Sequence, residues 1–203
     1  RKGTFGPIPF DLNERDEEGM YVLPAGPDPG KGTGKVAGNS ELAYLAEDTG
    51  DRVSAEVFPK GWTKGFEIET TDPLNGRKGW AYLFSFASNA PPKSKEDYAT
   101  LIEVKEPDPF TKKPYAILKG RYFQVRNSEG STSWYDFHGT KEGGYEEKSF
   151  SDHVSVRSSL KIAGLIPFHA DEESIQTETP AHYDGAVRLI RRVKLKVVVG
   201  KIK

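Results

Sequence analysis

The sequence predicts an all-β protein: an antiparallel β-sandwich or flattened barrel with long Gly/Pro-rich loops and one or two short helices. Three observations carry this. Apolar and polar residues alternate at period two through much of the chain, as where Trp80, Tyr82, Phe84 and Phe86 interleave with Ala81, Leu83, Ser85 and Ala87. Turn-forming runs recur at intervals of roughly 8–12 residues. The chain also carries 21 glycines and 14 prolines, which leave few stretches able to run as helix. Aromatic residues make up 11% of the 203, enough for a core and too many for a disordered chain.

In chain order, residues 1–39 read as a loop-rich N-terminal segment with one or two short strands. Residues 40–203 read as a β-sandwich domain able to continue beyond the chain end. In the first segment, "RKGTFGPIPF" and "GMYVLPA" suit short strands on either side of the acidic turn "DLNERDEEG". The loop "GPDPGKGTGKVAGNS" follows, punctuated by Gly and Pro at nearly every step. "NSELAYLAEDTGD" is the helix candidate: Ser40 serves as N-cap, Glu41 suits the first turn, Leu42 and Leu45 share a face, and Gly50 supplies the stop. "SKEDY" is a smaller one, with Ser94 and Asp97 at capping-box spacing.

The remainder reads as strands. "GFEIET" and "GWAYLFSFAS" alternate cleanly, and "YAILKGRYFQVRNSEGSTSWYDFHG" suits a hairpin turning at "NSEGS". "HVSVRSSLKIAGLIPF" and the closing "AVRLIRRVKLKVVVGKIK" suit two long strands.

Composition removes several functions. With 29 basic and 30 acidic residues the net charge is −1, so no global field recruits nucleic acid or an anionic membrane. The absence of cysteine excludes disulfides, thiolate metal sites, covalent haem attachment and a cysteine nucleophile. No run approaches the ~20 apolar residues of a membrane helix. A first residue other than Met accords with an exported chain whose leader has been removed, so the expected location is extracellular or periplasmic.

Catalytic and cofactor motifs mostly fail on spacing. "AGPDPGKGTGK" resembles a phosphate loop only loosely: Ala25 stands where Gly must precede Gly30-Lys31, Gly32 stands in place of Ser or Thr, and two prolines remove amides. His138, His153, His169 and His182 are too dispersed for metal-ligand spacing. No Gly-x-Ser-x-Gly elbow occurs, and Ser151, Asp152 and His153 are strand neighbours that point to opposite faces. No cofactor is therefore expected. Calcium is the one ion for which oxygen-rich runs exist, at Asp11, Asn13, Asp16 and Glu17 and at Glu47, Asp48 and Asp51, though neither run follows the EF-hand order.

The candidate ligand site is "STSWYDFHG". Strand alternation places Trp134, Asp136 and His138 on one face and Tyr135 and Phe137 on the other. A ring beside an acid and an imidazole suits a sugar, which stacks on the aromatic and bonds through its hydroxyls. Trp62, in the Gly/Lys loop "FPKGWTKG", is a second aromatic platform.

The last strand carries a basic face of Arg188, Arg192, Lys194 and Lys196, opposite an apolar face interrupted by Arg191. The acidic run before it, with Asp171, Glu172, Glu173, Glu178 and Asp184, can pair with it across a turn and neutralise it. An amphipathic strand running to the last residue suggests continuation of the chain or pairing with another one. The functional expectation is a non-catalytic exported protein for surface recognition or assembly, binding a glycan or a protein. The alternative is a carbohydrate-active enzyme, with Asp136 and His138 in the chemistry.

Overall fold

The structure is a computed structural model that describes residues 5–109, 112–128, 134–144, 149–154, 158–162, 166–170 and 175–197. Residues 128, 134–135, 149–154, 158–162, 166–170, 175 and 197 are described by their backbone alone.

The protein is all-β. Its strands are β1 (Asp11–Asn13), β2 (Glu41–Ala43), β3 (Trp62–Thr71), β4 (Lys78–Phe86), β5 (Ala99–Val104), β6 (Tyr115–Gly120) and β7 (Phe123–Ser128). They continue as β8 (Trp134–Gly139), β9 (Ser149–Val154), β10 (Ser158–Ile162), β11 (Ile166–Ala170), β12 (Ile175–Asp184) and β13 (Leu189–Val197). Strands β5 to β9 form a five-stranded antiparallel meander, while β1–β2, β3–β4, β10–β11 and β12–β13 are antiparallel pairs. Helix among the described residues is limited to two single 3-10 turns, Ala46–Asp48 and Ala55–Val57.

The expected helix over residues 40–51 is instead β2 followed by a 3-10 turn. Glu41, Leu42 and Ala43 pair with Asn13, Leu12 and Asp11. Ser40 turns its hydroxyl back to accept from the Ala37 amide at 2.9 Å, so it caps nothing. Tertiary pairing overrides a modest local helix preference here. "SKEDY" forms no helix either, because the Ser94 hydroxyl takes the Glu96 amide in a local turn.

In the N-terminal segment the strand falls on Asp11–Asn13, inside the run that reads as a solvated turn. "GMYVLPA" contributes only isolated bridges, from Tyr21 to Arg15 and from Ala25 to His182. Further on, "YAILKGRYFQV" already contains a hairpin, since β6 returns as β7 through Arg121 and Tyr122. The long strand expected over "HVSVRSSLKIAGLIPF" is broken, its second half folding as the β10–β11 hairpin. "NSEGS" falls largely outside the described residues.

Alternation in β4 is as the pattern requires. Tyr82 and Phe84 gather with Phe5, Phe58 and Trp62 into an aromatic cluster whose closest ring centroids, Phe58–Tyr82 and Phe58–Phe84, are 4.9 and 5.0 Å apart. Gly65 lies across from Phe84, and a Cβ there would meet the ring at 3.0 Å, so glycine leaves the space the ring fills.

Of the acidic run, Asp171, Glu172 and Glu173 lie outside the described residues; the remainder pairs with the basic strand as β12 and β13, with Glu178 opposite Lys194, Gln176 opposite Lys196 and Asp184 opposite Leu189. The register slips between Glu178 and Ala181, where Pro180 cannot donate to the ladder. The pair packs against the meander through Arg191, whose guanidinium donates to Asn127 on β7 at 3.2 Å and to Thr179 at 2.8 Å. Burial holds the Arg191 guanidinium below its ordinary pKa, against the opposing charge of Glu103.

The β12–β13 turn is locked by a carboxylate. Asp11, 1% exposed, accepts from the amides of Val187 (3.1 Å) and Arg188 (2.9 Å) and from the Tyr183 hydroxyl (3.2 Å). Beside it, Arg188 donates to Asn13 and Glu41, and Glu41 also accepts from Arg15 at 2.6 Å and Tyr21 at 2.7 Å. This polar joint fastens β1 and β2 to the end of the β12–β13 hairpin.

Candidate functional site

The β6–β7 turn, the end of β8, the 3-10 turn after β2 and the segment before β5 line a cleft of about 1140 Å³. One group of lining side chains is acidic: Glu47 and Asp48 from the 3-10 turn, Glu96 and Asp97 before β5, and Glu142 after β8. A second group carries N–H donors: Lys119, Arg121, Gln124 and Lys141, from β6 through the β8 exit, with the His138 ring beside them. The strand ends bring the two groups into contact, with Arg121 bonded to Glu47 and Glu142.

Arg121 is at the centre. It pairs with Glu47 at 2.6 Å and Glu142 at 3.1 Å, and its guanidinium lies 4.7 Å from the Tyr98 ring centroid. Its turn is held from behind, where Thr140 donates its hydroxyl to the Arg121 carbonyl and its amide to the Tyr122 carbonyl at 3.0 Å. The Tyr122 hydroxyl donates to Glu47, which raises its pKa above the phenol range.

Tyr98 forms the floor opposite. Its hydroxyl contacts Glu96 at 2.7 Å and Asp48 at 3.1 Å. Burial, and then these two acids, push its pKa well above that of a free phenol, so it stays protonated. The second Asp48 oxygen, Oδ2, is shielded from solvent and makes no hydrogen bond among the described residues.

The structure brings Asp136 and His138 together, but not by simple alternation. Gln124 pairs with His138 and Arg126 with Tyr135, so two residues of β8 oppose one of β7. This is a bulge, and Asp136 occupies it with φ of 55°, a left-handed conformation that only Gly, Asn and Asp adopt readily. The Asp136 carboxylate bonds to His138 Nε2 and forms an ion pair with Arg126 at 2.8 Å. His138 lines the cleft, with Asp136 and Arg126 as the support behind it. Trp134 pairs with Asn127 and Val154 by backbone, and its side chain lies outside the described residues.

Trp62 sits elsewhere, 44% exposed at the rim of the aromatic cluster, edge-on to Phe58 and 5.7 Å from Phe84. The basic residues of the last strand divide in two. Arg188 is committed to Asn13 and Glu41, and Arg192 donates to the Tyr21 carbonyl at 3.2 Å. Lys194 and Lys196 are exposed. Of the calcium candidates, Asp11 and Asn13 are buried and bonded as above, and Asp16 closes its own turn by accepting from the Met20 amide. Among the described residues no three acidic or imidazole groups converge as metal ligands.

Sequence reasoning singled out Glu47, Asp48 and His138 but passed over Tyr98, Arg121, Gln124 and Glu142. One signal was present: "KGRYFQ" puts Arg and Tyr in a two-residue hairpin turn, where Gly or Asn is usual. Comparison with protein-family models, curated proteins and solved structures found no match to this chain.

Proposed function

We propose that this is a non-catalytic exported binding protein whose cleft receives a hydroxyl-rich ligand, a neutral or amine-bearing glycan. The observation that carries this reading is the mixed lining: five carboxylates and the donor side chains of Lys119, Arg121, Gln124 and Lys141 converge on one cleft, with the Tyr98 ring beneath Arg121. Each sugar hydroxyl both donates and accepts, so a lining that offers both kinds of group is what such a ligand requires. A polyanion is disfavoured, because the five acids outnumber the three fixed cations, Lys119, Arg121 and Lys141. The export assignment rests on the sequence.

A second reading, glycoside hydrolysis, has one observation in its favour. Asp48 and Glu96 contact the same hydroxyl, so their bonded oxygens lie within about 6 Å of each other, near the ~5–5.5 Å used by retaining glycosidases. The Tyr98 hydroxyl, however, stands in the space between them that a glycosidic oxygen would need. That favours binding over cleavage.

The test is a glycan array followed by calorimetry on the best neutral or amine-bearing hits. The Lys119→Ala and Gln124→Ala variants are expected to weaken binding at least tenfold while remaining folded. Absence of any binding, or binding indifferent to both substitutions, overturns the proposal. Release of shortened sugar by the unmodified protein, abolished in Glu96→Gln, would establish the hydrolytic reading instead.

A further inference from the structure

The geometry points to the outer edge of β13 as a docking site for an acidic, extended segment of another polypeptide, added as a further antiparallel strand. This is independent of the cleft and rests on a contrast within one strand. Just before and within its first half β13 is fastened: Arg188 to Asn13 and Glu41, Arg191 to Asn127 and Thr179, and Arg192 to the Tyr21 carbonyl. From Val193 onward the side chains of both faces open to solvent. Val193 is 46% and Leu195 67% exposed, and the Lys194 side chain is 60% exposed. Lys196 is exposed as well.

On its inner edge β13 pairs with β12, and among the described residues no strand pairs with the other edge. An open edge with apolar side chains on one face is a template for strand addition, in which main-chain bonds supply affinity and alternate side chains supply specificity.

Charge selects the occupant. A second copy of β13 laid antiparallel about Leu195 would set Lys194 against Lys196, and like charges directly opposite are destabilising. An incoming strand with carboxylates on the lysine face and apolar residues on the Val193–Leu195 face satisfies both. β12 supplies part of this solution on the inner edge: Glu178 lies opposite Lys194, while Gln176 lies opposite Lys196 and Thr177 opposite Leu195. Among the described residues, Asp28 lies 3.9 Å from Lys194 with both side chains well exposed, a contact weak enough to leave that lysine available.

The experiment uses a labelled heptapeptide of alternating Glu and Val, read by fluorescence anisotropy against the whole chain. Binding is expected, with at least a tenfold loss in the double variant Lys194→Glu/Lys196→Glu. The same loss is expected when every peptide amide is N-methylated, which keeps the charge and removes the donors. The exposed-loop control Lys31→Glu/Lys35→Glu should bind as the unmodified protein does, and circular dichroism checks that all variants are folded. Three results would overturn the inference: no binding of the unmodified peptide, equal binding of the N-methylated one, or concentration-dependent self-association of the unmodified protein that is lost in the Lys194→Glu/Lys196→Glu variant and excludes the peptide. The last would assign the edge to a second copy. None depends on whether the cleft binds a glycan.

Discussion

Replacing Asp11 tests the polar joint most directly. Its carboxylate is 1% exposed and accepts three hydrogen bonds, two of them from the Val187 and Arg188 amides to the same oxygen, Oδ2. In Asp11→Ala those amides and the Tyr183 hydroxyl, all half-buried, lose their acceptor. Each buried unsatisfied donor costs about 1–3 kcal/mol, so a loss of about 3–5 kcal/mol is expected. That is a large share of the roughly 5–15 kcal/mol that holds a domain folded. Asp11→Asn behaves differently. Its single amide oxygen can take the place of Oδ2 and serve both backbone donors, while its NH2 group faces Tyr183, which rotates to accept. Only the charge assistance is lost, about 1 kcal/mol. Urea unfolding followed by tryptophan fluorescence separates the two, since at a slope of ~2 kcal/mol/M the Ala variant should lose about 2 M in midpoint and the Asn variant about 0.5 M. An independent readout is Tyr183, pushed up to about 12 by burial and by the Asp11 charge. Removing that charge in Asp11→Asn should lower it in a spectrophotometric titration. Equal losses in both variants, or a loss under about 1 kcal/mol in Asp11→Ala, would refute the assignment of Asp11 as the lock on this turn.

Two further outcomes follow from the same joint. A Cβ on Gly185 would sit 2.2 Å from a Tyr183 ring carbon and 2.5 Å from Asp11 Oδ1, so Gly185→Ala should cost about 1–3 kcal/mol in the same unfolding assay, whereas Gly38→Ala, with open space around it, should stay within about 0.5 kcal/mol. Glu41, held down to about 2 by hydrogen bonds from Tyr21, Arg15 and Arg188, should contribute stability that is fully present above its ordinary value of 4.5 and is lost as pH falls from there toward 2. Thermal melts across that window should show a shallower acid loss in Glu41→Gln, and parallel slopes in the two proteins would count against the linkage.

The fold class was legible because strand alternation is written directly in side-chain order, as Tyr82 and Phe84 show by converging on one aromatic cluster. The joint was not, because an acidic run such as "DLNERDEEG" looks the same whether its carboxylates face water or two backbone amides 176 and 177 residues away. The basic strand misled for the same reason: Arg188 and Lys194 share a face in the pattern, yet one is committed to a half-buried network and the other is open. In "WYDFHG" the pairing of Asp136 with His138 was legible, but the bulge that produces it was not. It depends on a left-handed Asp136, which a sequence pattern does not reveal. The cleft itself hangs on the Arg121–Tyr122 turn, which carries none of the usual hairpin residues.

The same residue types therefore build two networks with opposite uses, and burial separates them. Around Asp11, the carboxylate is 1% exposed and its three donors are half-buried, so losing its bonds is costly. Around Arg121, the partners Glu47 and Glu142 keep 46% and 67% of their side-chain exposure, and ion pairs so exposed are worth about 0–1 kcal/mol. An incoming hydroxyl can replace either carboxylate at little cost, because both return to water. Such a cleft adapts its bonding to the ligand while its walls stay fixed by Thr140 behind the turn and by the Asp136 support behind His138. That combination of exchangeable lining on a fixed frame suits recognition of a repeating, hydroxyl-rich surface. It suits catalysis poorly, since a reacting group must be held in one geometry to within about 0.5 Å.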